Sequence, residues 1–130
     1  MQPVYYRDSD GEEPVHAYID DLPDRKAAAI ENQLKRFELQ RQDGPPLPFP
    51  WTSQIEGELR EFRAHFGEEL YRILYRRSEN LIILLHIIRK TSAAVPVADI
   101  AVAKSRWADF KARMDAPKRA RPRAAGHDAP

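Results

Sequence analysis

Arg63, Arg72, His86 and Lys90 are the residues of this chain whose types and spacing could do chemistry. An arginine offers a planar fork of donors matched to phosphate oxygens, a lysine supplies a compact positive charge, and a histidine can move protons near neutral pH. Together they would equip a site for metal-free attack of a ribose 2′-hydroxyl on its own phosphate. Such a site needs a base for the hydroxyl, cations for the charge that develops at phosphorus, and an acid for the leaving oxygen. Arg60, Arg76 and Arg89 could add contacts to the same anion, and Tyr71 or Tyr75 could stack on a base or hydrogen-bond a phosphate. Each residue also has a plainer reading. The arginines can pair with Glu58, Glu61 or Glu79 across strands, worth only ~0.2–1 kcal/mol per pair. A single histidine in an apolar strand is commonly a hydrogen-bonded core residue. What sets these residues apart is their concentration within residues 59–90.

Three strand-like runs, 59–66, 70–77 and 81–88, must position them, and their separators are short enough for antiparallel hairpins. Alternation puts Glu61, Arg63 and His65 on one face of the first run, with Phe62, Ala64 and Phe66 on the other. In the second, Tyr71, Ile73 and Tyr75 alternate with Leu70, Arg72, Leu74 and Arg76. Arg63, Arg72 and Arg76 therefore converge on one anion if the register allows. The run 81–85 is continuously apolar and is predicted to be the central, most buried strand, with His86 interrupting its end.

Upstream, Val4 to Tyr6 reads as a short opening strand followed by a turn at 8–11. Pro14 fits the first turn of a helix with an apolar stripe at Val15, Tyr18, Ile19 and Leu22, which Pro23 stops. Asp24 is the expected N-cap of a second helix carrying Ala27, Ile30, Leu34 and Phe37, ended by Gly44. Four prolines make 44–50 a stiff connector, pinned by Trp51. Pro96 opens a last helix with Val97, Ile100, Ala101, Trp107, Phe110 and Met114 on its buried side. The expected fold is α+β: a helical hairpin packed on a mostly antiparallel sheet of about four strands, with a C-terminal helix. Residues 1–114 form the domain, and 115–130 read as a disordered basic tail with Lys118, Arg119, Arg121 and Arg123.

A length of 130 residues bounds the chain to one domain with one core. Without cysteine there are no disulfides, thiolate zinc sites or cysteine nucleophiles, and His16, His65, His86 and His127 are too scattered to form a metal motif, so no metal or cofactor is expected. Neither a secretory signal nor a membrane span is visible, which predicts a soluble cytoplasmic protein. Net charge is +1, yet residues 1–50 hold 6 Lys/Arg against 10 Asp/Glu while residues 51–130 hold 15 against 10.

The order of these elements and the residues in them resemble a family. Tyr6-Arg7-Asp8 with Gly11 and Pro14-Val15, the Leu22-Pro23 break, Leu59-Arg60-Glu61-Phe62-Arg63, Tyr71-Arg72-Ile73-Leu74-Tyr75, and His86 with Lys90-Thr91, Pro96, Asp99-Ile100 and Ala103 look like the RelE/ParE superfamily of bacterial toxins, in its HigB-like, phage-related branch. The resemblance spans about residues 3–112 and is most specific over 59–103. It implies the toxin of a type II toxin–antitoxin system: a ribosome-dependent mRNA endoribonuclease that inhibits translation and growth. Its implied partners are ribosome-bound mRNA and a helix-turn-helix antitoxin, through which alone it would contact DNA. Arg63, Arg72 and Lys90 match basic positions of that branch, His86 its strand-end histidine, and Tyr75 an aromatic position. Relatives carry a lysine ahead of the first site strand where this chain has Thr52-Ser53-Gln54, leaving Arg60 or Arg76 to substitute. ParE-type members of the same superfamily inhibit DNA gyrase without cleaving RNA, and a weakly catalytic homologue acting only as antitoxin partner is a further alternative.

Overall fold

A computed structural model describes residues 1–117 and 122–126. The strands are β1 (Gln2–Tyr5), β2 (Thr52–Glu56), β3 (Leu59–Phe66), β4 (Glu69–Ser78) and β5 (Leu81–Arg89), and the helices α1 (Pro14–Asp20), α2 (Asp24–Leu34) and α3 (Val97–Met114). One sheet runs in the order β1-β5-β4-β3-β2, antiparallel throughout except where β1 lies parallel to β5. The three hairpins have two-residue turns, at 57–58, 67–68 and 79–80, each with a positive φ at its first position. Glycine supplies it at Gly57 and Gly67, whereas Glu79 holds φ 54 against its own Cβ.

The sheet has a core on each side. Against one face lie α1 and α2, whose Val15, Ile19, Ile30 and Leu34 meet Phe62, Ile73, Tyr75, Ile82 and Leu84. Phe37, in the 3₁₀ turn Lys35–Leu39 that follows α2, has its ring 4.9 Å from Phe62 and 4.8 Å from Tyr75. Against the other face lies α3, which packs Ala103 and Phe110 with the partly buried Ile100, Trp107 and Met114 on Leu59, Leu74, Leu81, Ile83 and Leu85. Burial of each large apolar side chain contributes about 1.5–3 kcal/mol, which is what holds three short helices to one sheet.

The α+β class, the helical pair and the C-terminal helix are as the sequence predicts; several details differ. The sheet has a fifth strand, β2, an edge strand too short and polar to show a period. β4, not the apolar run of β5, is central, because β1 pairs outside β5; the continuous apolar character of β5 reflects burial on both faces under neighbours on both sides. Asp24 is the first residue of α2 rather than its cap: Pro23 is the N-cap, no side chain caps it, and the Asp24 carboxylate sits in the first turn, where the helix dipole favours it. The second helix ends at Leu34, well before Gly44. On α3, Val97 is 83% exposed and Ala101 is exposed, while Ala103 is fully buried, because the stripe follows 100, 103, 107, 110 and 114.

Part of the segment expected as a disordered tail is docked instead. Ala124 and Ala125 are buried; Ala125 bridges Tyr6, Arg7 N donates to Ala124 O at 2.8 Å, and Gly126 N donates to Tyr5 O at 2.8 Å. Arg113 secures the crossing by donating to Pro122 O and Arg7 O, and it pairs with Asp109, which accepts the Tyr6 hydroxyl at 2.5 Å. Lys118, Arg119, Arg121 and His127 lie outside the described residues. No helix among the described residues is long and apolar enough to cross a membrane.

Candidate functional site

Arg63 and Arg72 stand directly opposite one another across β3 and β4. Their side chains lie on the α3 face, and Glu61, two residues back on β3, serves both. Its Oε1 is 3.4 Å from Arg63 Nη1, its Oε2 is 3.1 Å from Arg72 Nε, and Ser53 on β2 donates to Oε1 at 2.9 Å. Glu61 and Arg72 are 3% and 4% exposed, so this ion pair is an interior one. The Arg72–Glu61 contact lacks hydrogen-bond geometry, and Glu61 Oε2, Arg72 Nε and Arg63 Nε are buried without a hydrogen-bond partner. Arg72 spends another donor on Ala93 O at 2.7 Å, tying the loop before α3 to the sheet. Arg63 alone of the three reaches the surface, where its guanidinium lies 5.7 Å from the ring of Phe49, itself 73% exposed.

His86 reaches the same face through a bulge. The register with β4 slips between Leu74 and Tyr75, so that Leu74 faces His86 and Tyr75 faces Leu84, leaving Leu85 unpaired. Leu85 and His86 thus both turn to α3, re-aiming the histidine away from the face that strict alternation would give it. There Nε2 lies 2.7 Å from Asp99 Oδ1 and Nδ1 lies 3.1 Å from Arg106 Nη1. Because arginine only donates, Nδ1 must accept and Nε2 carries the proton toward Asp99. Both ring nitrogens are engaged inside the protein, so His86 joins β5 to α3. Arg106, which also donates to Leu85 O, has its pKa lowered by burial.

The remaining sequence candidates fall elsewhere. Arg76 shares the α3 face, but sits four residues along β4 from Arg72, about 13 Å away. It lies over the Trp107 ring at 4.3 Å and pairs with Glu58 at 2.6 Å. The register therefore does not bring the three arginines onto one anion. Arg60, Tyr75 and Arg89 lie on the opposite face. Arg60 donates to the Tyr75 hydroxyl at 3.3 Å and to Thr52 Oγ1 at 3.0 Å, at the side of a cavity of about 640 Å³ that Arg77 and Glu79 also line. Arg89 pairs with Glu69, which also meets Lys26 and the Tyr71 hydroxyl; the bonds from Lys26 and Tyr71 hold its carboxyl below the usual range. Lys90 is exposed, its backbone N–H donates to Leu70 O, and its ammonium meets no hydrogen-bond or ion-pair partner among the described residues.

Two residues absent from the sequence candidates stand beside Arg63. Phe49 is one. The other is His65, which alternation places on the same face of β3: it is exposed, and its imidazole meets no hydrogen-bond or ion-pair partner among the described residues. Its backbone is pinned, because the Gln33 side chain both accepts from His65 N at 2.8 Å and donates to His65 O at 2.6 Å, beyond the point where β2 stops pairing. The alternation signal could have found His65, whereas nothing in the proline-rich connector marks Phe49. Among the described residues no group of His, Asp and Glu is arranged to hold a metal ion.

Residues 17–108, from within α1 to Ala108 of α3, match the family described as Phage derived protein Gp49-like (DUF891). No curated protein matches the chain. Arg63, Arg72, His86 and Lys90 all lie inside the matched region, while β1 and the docked C-terminal segment lie outside it. The chain therefore belongs to the Gp49-like family, a phage-derived group associated with toxins of toxin–antitoxin systems, for which an antitoxin is the natural partner.

Proposed function

We propose that this protein is the toxin of a type II toxin–antitoxin system and arrests growth as a metal-independent endoribonuclease of the HigB type, cutting mRNA on the ribosome. The observation that carries the reading is the Arg63–Arg72 pair, held on one buried carboxylate with only Arg63 opening to solvent. A charge network of this kind stabilises less than apolar residues of the same volume would, so its retention is best explained by what Arg63 must bind. In this reading Arg63 takes the scissile phosphate and the exposed Lys90 adds positive charge. Arg72 and His86, both consumed by internal partners, hold Arg63 and α3 in place. The modest net charge of +1 gives little hold on naked RNA, where affinity grows with the number of phosphates neutralised. A ribosome supplies the docking surface instead. The antitoxin would be a helix-turn-helix protein of the cytoplasm and the sole route to DNA.

The test is to induce the chain without an antitoxin and map mRNA 5′ ends. Cuts in phase with codons that disappear in Arg63→Ala are the expected result; intact mRNA under growth arrest would overturn it. One observation favours a second reading, inhibition of DNA gyrase without catalysis: Arg72 is buried and both ring nitrogens of His86 are engaged inside the protein, so neither is open to substrate. Loss of supercoiling with intact mRNA would establish that alternative.

A further inference from the structure

Once Arg72 and His86 are committed inside the protein, the endoribonuclease reading lacks a group to take the 2′-hydroxyl proton and a platform to hold a base. Both needs are met beside Arg63. His65 follows it by two residues on the same face of β3, about 7 Å along the strand. Nothing else among the described residues is its equal. His16 is stacked on Tyr5 and paired with Glu13, and the largest cavity is on the opposite face, lined by cations and carboxylates together.

We propose that RNA lies along the outer edge of β3 with a nucleobase on Phe49, its phosphate on Arg63 and the 2′-hydroxyl presented to His65, which makes His65 the catalytic base. The inference rests on the endoribonuclease reading above. An exposed aromatic ring beside an arginine is the arrangement that single-stranded bases stack on, tolerant of sequence because every base has a π-face. The unpartnered imidazole of His65 accepts the 2′-hydroxyl proton as the 2′-oxygen bonds to phosphorus. The bond from phosphorus to the 5′-oxygen breaks, and that oxygen takes a proton from the Lys90 ammonium. The products are a 2′,3′-cyclic phosphate and a free 5′-hydroxyl, and both side chains then exchange protons with water. Gln33 gives the base its precision: it fixes the His65 backbone from both sides where the strand would otherwise have a free edge.

The experiment measures cleavage of a translated reporter mRNA by the full chain and its variants across pH. His65→Gln should lower kcat about 10²-fold or more, within the range typical of lost general-base catalysis, and abolish the acidic limb of the pH profile with KM unchanged. Phe49→Ala should raise KM about tenfold at constant kcat, with Phe49→Trp restoring it, since stacking is worth ~1–3 kcal/mol per base. Both residues are exposed, and matching melting temperatures confirm that the variants fold. If His65→Gln cuts at the parent rate with the parent pH profile while Arg63→Ala is dead, the role of His65 is overturned and the endoribonuclease reading stands. If the parent chain cuts no RNA, both fall.

Discussion

On the helix-hairpin side of the sheet, Phe62, Ile73, Tyr75 and Leu84 close on Phe37, Ile30 and Ile19, and no charged side chain among the described residues is buried there. On the α3 side, Glu61, Arg72 and His86 stand among Leu59, Leu74 and Leu85, and Glu61 Oε2 and Arg72 Nε lack a hydrogen-bond partner. One sheet thus carries a face built for stability and a face that gives some stability up. In the proposed reading the difference has a purpose: buried charge sits where it aims a group at solvent, here Arg63, and the other face has nothing to aim.

The comparison is broken most forcefully at Glu61. Glu61→Ala should destabilise the fold by about 3–5 kcal/mol, because it strands the buried Arg72 charge. Phe62→Ala on the other face should cost a similar ~3–5 kcal/mol through the cavity it leaves. The two differ in whether a partner can rescue them. Glu61→Leu combined with Arg72→Met should recover most of the loss in urea unfolding while abolishing cleavage. A double variant no better than Glu61→Ala would mean that the charges serve the fold itself.

A smaller effect comes from pH, with one tyrosine on each face. Tyr5, on the hairpin side, and Tyr6, on the α3 side, are both pushed up to about 12. Burial is the main cause for each, aided by Glu31 and Glu13 at Tyr5 and by the bond to Asp109 at Tyr6. A pKa raised by folding means stability fully present below the ordinary value near 10 and lost as pH climbs from there to about 12. Tyr6→Phe should make that alkaline loss shallower by the α3-side share and Tyr5→Phe by the hairpin-side share, read from melting temperature against pH. An unchanged curve in both would refute it. The smallest effect is at the turn both faces share. Glu79→Gly, at φ 54, should raise stability by about 0.5–1 kcal/mol in chemical denaturation, matching the glycines of the other two hairpins; a loss would show that the Glu79 side chain contributes more than the strain it causes.

How much of this was legible in the residues follows the same division. The hairpin-side core could be read from alternation, since Phe62, Ala64, Tyr71, Ile73 and Tyr75 keep strict period two, and the strand ends of β3 to β5 came within a residue. Arg63 and Arg72 were rightly placed on neighbouring strands, but their register was not legible, so Arg76 was grouped with them. The bulge at Leu85 and His86 was invisible, because the run 81–88 is apolar at nearly every position, so a slip of one residue that reverses the faces of all residues from His86 onward leaves no trace in the pattern. Burial of Arg72 was equally hidden: it depends on the loop carrying Ala93, distant in sequence. β2 carried no periodic signal, being a short edge strand with one polar margin.

The docked residues 124–126 have a bearing on how the chain is made. β1 is made before the segments it pairs with: its inner edge waits for β5 and its outer edge for Ala124, Ala125 and Gly126. Its hydrogen bonds are complete only once residues 124–126 have been made. Contacts so distant in sequence form late and slowly. β1 is therefore the last strand of the sheet to be fully bonded, clasped on its outer edge by a segment far along the chain.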